Sequence, residues 1–196
     1  MSGIITDNVG RSGGLIKAAG GATGILLKTY HKMFKGGQSI SGYDEASPTV
    51  ISNYQLAITP QGSGSVFLAT YHVAIGSHEN HTMIQAMAMI DGGSFTGLGT
   101  QKSTMYNDAD YYDMGSWYMG SIDGNAVHIK SNSFYYAPAT ASEITFGLFC
   151  GQHSGTAYFG RSSNNTGNDY TALGMSLRVD EYDSSSNLVN TEYTSG

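Results

Sequence analysis

Three acids close together, Asp108, Asp110 and Asp113 in the run NDADYYD, are the side chains best placed to bind a hard cation. Carboxylate oxygens at alternating loop positions suit calcium, but the run lacks the glycine and the closing bidentate Glu of an EF-hand. The expectation is a solvated acidic loop and no cofactor, with a calcium ion as the alternative. His78 and His81 flank Glu79 in HENH. They would hold a metal only if a symmetry axis joined several copies; otherwise they mark an exposed polar turn. His72 falls inside a strand-like run and reads as a packed histidine. His31, His128 and His153 have no acidic or thiol partner in the pattern. A nucleophile needs an oriented base within hydrogen-bond reach, and neither a G-x-S-x-G elbow nor a phosphate-cradling G-x-x-x-x-G-K-[ST] loop occurs. Cys150 closes an apolar run, where it packs as a small hydrophobe. Glu79, Glu143 and Asp180 form no readable acid pair. The chain is therefore expected not to be an enzyme.

What remains is scaffold. The 196 residues include 27 Gly, 14 Tyr and one Cys, with only 12% charged side chains. One cysteine excludes an intrachain disulfide framework and a thiolate zinc cluster. No apolar run reaches the roughly 18 residues of a membrane-spanning helix, so membrane insertion is not expected. The opening residues also lack the compact apolar core of a secretory signal. Low charge with abundant Gly, Ser, Thr and Tyr suits an all-β protein. The pattern agrees. Residues 65–75 (SVFLATYHVAI) follow the turn signal PQGSG, and 82–90 (TMIQAMAMI) end at Asp91-Gly92-Gly93. Ile144, Phe146, Leu148 and Cys150 alternate with Thr145, Gly147 and Phe149, and Leu173, Met175, Leu177 and Val179 alternate with Gly174, Ser176, Arg178 and Asp180. Period-two alternation gives one buried and one wet face, and short strands between turn signals predict an antiparallel sandwich or barrel. Shorter candidates are 116–119, 126–130 and 156–160, the first two flanking the turn Asp123-Gly124-Asn125.

Charge divides the chain unevenly. Residues 1–36 hold Arg11, Lys17, Lys28, Lys32 and Lys35 against Asp7 alone, while the remainder holds four cations and fourteen carboxylates. The cations are widely spaced and only Tyr30 and Phe34 interleave with them, a poor footprint for nucleic acid. Glycines punctuate this stretch and lower helix stability by about 1 kcal/mol each relative to alanine. They leave Ile4, Ile5, Leu15, Ile16, Ile25, Leu26 and Leu27 without a core of their own. The expectation is an extended anchoring arm over 1–45 that packs on sister subunits or a host assembly. A β domain over 46–183 and a polar tail over 184–196 follow.

The phrases MSGIITDNVGRSGGLIKAA, YQLAITPQGSGSVFLATYHVAI, FYYAPATASEITFGLFCG, GTAYFGRSSNN and ALGMSLRVDEY, in this order, resemble virion structural proteins of tailed phages. The likeness covers about residues 2–20 and 50–182 and is poorest over 97–130; residues 21–40 have no counterpart in it. In that family the C-terminal part is similar to the jelly rolls of tumour-necrosis-factor and complement-type trimeric domains. The resemblance implies a virion location, a homotrimer and contact with other virion proteins through the arm. It also implies a short tail fibre or appendage whose jelly-roll head attaches to a host-surface glycan or protein. A capsid decoration protein and a soluble carbohydrate-binding module are the alternatives. Tyr106, Tyr111, Tyr112, Trp117 and Tyr118 are the expected receptor contacts, because tyrosine and tryptophan pair an apolar ring with a polar tip.

Overall fold

The computed structural model describes residues 25–35, 37–41, 49–77, 82–98, 116–119, 126–152, 156–162 and 174–183. Strands are the only regular elements among them: β1 Leu26–Phe34, β2 Ser39–Ser41, β3 Thr49–Ile58, β4 Val66–Ser77, β5 Thr82–Ile90, β6 Phe95–Gly97, β7 Ser116–Met119, β8 His128–Tyr136, β9 Ile144–Gln152, β10 Thr156–Phe159 and β11 Met175–Tyr182. All their pairings are antiparallel.

In the first sheet, β4 is central. One of its edges pairs with β8 over residues 67–75. Its other edge is shared, first by β11 over 66–72 and then by β10 over 75–77. Beyond these, β1 flanks β11 and β2 flanks β10. The second sheet runs β3, β9, β5, with β7 and β6 dividing the outer edge of β5. The chain passes from one sheet to the other at β2–β3, β3–β4, β4–β5, β7–β8, β8–β9 and β9–β10, so the architecture is an antiparallel jelly-roll sandwich.

Alternation decides which side chains meet. Phe67, Ala69, Tyr71, Val73 and Ile75 of β4 and Met175, Leu177 and Val179 of β11 face Ile84, Ala86 and Ala88 of β5 and Ile144, Phe146, Leu148 and Cys150 of β9. Two buried tyrosines cross the gap in opposite directions. The Tyr71 hydroxyl donates to the Met87 carbonyl of the second sheet at 3.2 Å. Tyr54, from β3, accepts from the His72 N–H at 3.3 Å and donates its single proton to the nearby Ser176 carbonyl. His72 and Ser176 are the last pair before β4 exchanges β11 for β10, so the phenol seals the ladder where it divides. Phe34, Tyr54, Tyr71 and Phe134 form a continuous aromatic row, with centroids 4.4, 6.2 and 5.7 Å apart. Each such contact adds about 0.5–1.5 kcal/mol beyond area burial.

The sandwich begins well before the expected boundary at residue 46. β1 and β2 are strands of the first sheet, not arm, because Tyr30 and Phe34 share one flank of β1 and reach the core. The glycine-rich texture around this stretch concealed a strand whose two anchors are four residues apart. Strand β8 likewise runs to Tyr136, past the five residues the pattern marked.

Candidate functional site

The register gives the sandwich two unlike ends. At one lie Ile58, the loop to Val66, Tyr136, Ile144, Ile90 and Tyr182, joined by the pairs Ile58–Ile144, Val66–Tyr182 and Phe67–Tyr136. Both outermost described segments of the chain meet there: the Asp183 N–H donates to the Ile25 carbonyl at 3.1 Å. Ile25, Leu26 and Leu27 stand 43%, 45% and 43% exposed at this end, a short apolar strip. At the opposite end lie Ser77, Thr82, Gln152, Thr156 and His128, and β7 pairs there, with Trp117 opposite Ile84 and Tyr118 opposite Met83. Of the expected receptor contacts, Trp117 and Tyr118 therefore belong to the end remote from Ile25. Tyr106, Tyr111 and Tyr112 fall outside the described residues, as do Asp108, Asp110 and Asp113, the His78–His81 turn, and Ile4, Ile5, Leu15 and Ile16.

The outer face of the first sheet lies between the two ends. Register sets its rows: Met33, Ser176, His72 and Ser131; then His31, Arg178, Thr70 and Ser133; then Thr29, Asp180, Leu68 and Tyr135. Mostly polar side chains occupy its centre, Arg178 among them at 55% exposure, and Thr70 and Ser133 share a hydrogen bond of 2.7 Å. Apolar groups stand at its margins, Met33 at 63% and Ile129 at 54% exposure. Asp180 is almost fully covered; it accepts from the Thr29 hydroxyl at 2.6 Å and pairs with Arg178 at 2.9 Å. At the far margin Gly76 lies so close beneath the 160–162 turn that a Cβ there would strike the Arg161 carbonyl.

Strand β1 closes the other margin with a basic edge. The Lys28 amine sits over the Tyr30 ring at 4.7 Å and the Lys32 amine over the Phe34 ring at 5.2 Å. Lys32 also donates to the Gln55 carbonyl of β3 at 2.9 Å. The sequence had shown these aromatics interleaved with lysines; the fold places each amine on its ring.

One buried carboxylate escaped the sequence reading. Glu181 is fully covered, and it accepts from the Gln61 N–H at 2.6 Å, the Ser65 hydroxyl at 2.6 Å and the Tyr30 hydroxyl at 3.0 Å. It ties β1, β11 and the 59–65 loop together. Its signal was parity: Met175, Leu177 and Val179 all point inward, and Glu181 continues that series. Burial, and next the bond to Glu181, raise the Tyr30 phenol above its ordinary range.

The arrangement is poor in reaction chemistry. Burial pushes the Cys150 thiol up to about 12, far from the thiolate that a nucleophile requires. Among the described residues no group of three or more His, Cys, Asp or Glu is placed to hold a metal ion, and no helix is long and apolar enough to cross a membrane. Tyr54 and Tyr71 are raised by desolvation and serve as neutral hydrogen-bonding struts.

No family model and no curated protein sequence matches the chain. Among solved structures it is similar to Eiger TNF from S. frugiperda, with 8% identity and a TM-score of 0.42 over 85% of this chain and 99% of that one. It is also similar to the structure of infectious bursal disease virus, Gx strain, with 12% identity and a TM-score of 0.40 over 80% of this chain. The chain spans only 36% of the length of that viral chain. A third likeness is to the SPBc2 prophage-derived protein YomS, with 11% identity and a TM-score of 0.28 over 80% of this chain and 97% of that one. At these scores the jelly-roll assignment rests on the strand pairing.

Proposed function

We propose that this chain is a non-enzymatic structural protein of a phage virion, a homotrimeric short tail appendage. The residues ahead of the sandwich anchor it, and the jelly-roll head meets the host surface. The observation that carries this reading is the polarity of the sandwich. Ile25 and Asp183 leave it together at one end beside exposed Ile25, Leu26 and Leu27, while β7, with Trp117 and Tyr118, lies at the other. Such a head points one end at its support and the other outward. The face bearing Met33 and Ile129 is the surface on which three copies would meet, since exposed apolar groups at its margins can seal a contact. The resemblance of the N-terminal phrase to those of tailed-phage virion proteins suggests the setting.

Light scattering on the purified chain is expected to give a trimer, and Met33→Glu with Ile129→Glu is expected to give monomers of unchanged fold. A stable monomer of the parent chain at micromolar concentration overturns the trimer. Binding to host cells that is lost on replacing Trp117 and Tyr118 by Ala supports attachment. Labelling of intact particles confined to the head assigns the chain to capsid decoration instead.

A further inference from the structure

Strand β1 carries a second, independent surface. Among the described residues its backbone pairs with β11 alone, so alternate backbone N–H and C=O groups face away from the sheet. Its side chains from Leu26 to Thr29 and from His31 to Met33 are exposed. Lys28 and Lys32 share the flank of Tyr30 and Phe34, about 13 Å apart at strand spacing, and His31 lies on the other flank opposite Arg178. Lys35 follows directly. Among the described residues none of Lys28, Lys32 and Lys35 forms an ion pair with a carboxylate, although Glu181 lies opposite Lys28 in register. The carboxylates nearest in register are already engaged: Asp180 with Thr29 and Arg178, Glu181 with Tyr30, Gln61 and Ser65.

Lysines on an open edge repel a second β1 and so guard against self-pairing. The same arrangement favours a strand of opposite charge. We infer that β1 is a docking edge for an extended acidic peptide segment of another protein, which adds beside it as a further strand. Main-chain hydrogen bonds supply the affinity, and carboxylates at alternate positions reach Lys28 and Lys32 on their shared flank. The repeat of two that sets successive side chains on opposite flanks of the incoming strand matches the even spacing of Lys28 and Lys32. This inference stands on β1 by itself and does not require the trimer or the phage setting.

The test uses the whole chain and fluorescent peptides of alternating Thr and Glu, alternating Thr and Gln, and a Pro-interrupted Glu peptide of equal charge. The Thr-Glu peptide is expected to bind at least about tenfold tighter than both others. The triple variant Lys28→Gln, Lys32→Gln, Lys35→Gln, whose sites are exposed, is expected to unfold as the parent does yet lose about tenfold in affinity. Hydrogen exchange should show added protection of β1 amides in the complex. Equal binding of the Pro-interrupted peptide overturns strand addition; equal binding of the Thr-Gln peptide, or an unchanged affinity in the triple variant, overturns recognition of acidic side chains by the lysines. Self-association of the parent chain that the triple variant abolishes also overturns the inference, since the acidic strand would then come from a second copy.

Discussion

Replacing Tyr54 by Phe removes one oxygen at the point where the first sheet divides. The ring still fills its place between Phe34 and Tyr71, so little apolar packing changes. What is lost is the hydroxyl that joins the His72 N–H to the Ser176 carbonyl. Each loses that partner in a part-buried position, at up to about 1–3 kcal/mol apiece, and some relaxation is open to the β4–β11 ladder. A loss of about 2–4 kcal/mol follows, or about 4–16 °C in Tm for a domain of this size. Urea unfolding read by circular dichroism measures the first quantity, and hydrogen exchange at the His72 amide reports the site directly. Tyr54 also has an alkaline signature. Burial raises its native pKa above the ordinary 10.0, and the same holds for Tyr71. Above pH 10 the unfolded chain releases these protons while the native chain retains them, so stability is full below pH 10 and falls as pH rises. The slope is about 1.4 kcal/mol per pH unit for each tyrosine, or about 2.7 for the pair. Tyr54→Phe should remove half of that slope. A variant within about 0.5 kcal/mol of the parent, with His72 exchange unchanged, would refute the assigned role of the hydroxyl.

Three further outcomes are expected. Gly76→Ala drives a methyl into the Arg161 backbone; it should displace the 160–162 turn and cost about 1–3 kcal/mol by overpacking, visible as a lowered urea midpoint. Cys150, buried with its thiol raised to about 12, should resist a thiol reagent at neutral pH in the native protein and react at once in denaturant; rapid native labelling would contradict its burial. Glu181→Ala leaves the Gln61 N–H and the hydroxyls of Ser65 and Tyr30 without their acceptor. It should cost about 3 kcal/mol or more, since bonds to a charged acceptor are worth about 1.5–3 each, and loosen β1 first in hydrogen exchange.

Much of the sandwich was legible in the chain because strand alternation is a local property. The runs that became β4, β5, β9 and β11 declared themselves, since two-residue periodicity follows from the pleat and needs no partner to be visible. β1 did not, because an edge strand buries little and its signal shrinks to Tyr30 and Phe34 amid lysines and glycines. Lys28 and Lys32 read as scattered charge until pairing with β11 put each amine on a ring and left it without a carboxylate.

The sequence by itself determined that the chain is all-β, that its face-alternating runs build a core, and that its one cysteine belongs to that core. Tertiary structure alone decided how those runs pair: that β10 and β11 share one edge of β4, that a phenol from the opposite sheet fills the division, and that Glu181 is buried rather than wet. Which strands adjoin depends on contacts between residues more than a hundred positions apart, as between Tyr54 and Ser176 or Tyr30 and Glu181. Local periodicity fixes which side of a strand turns inward; the partner it meets there is set by the folding of the whole chain.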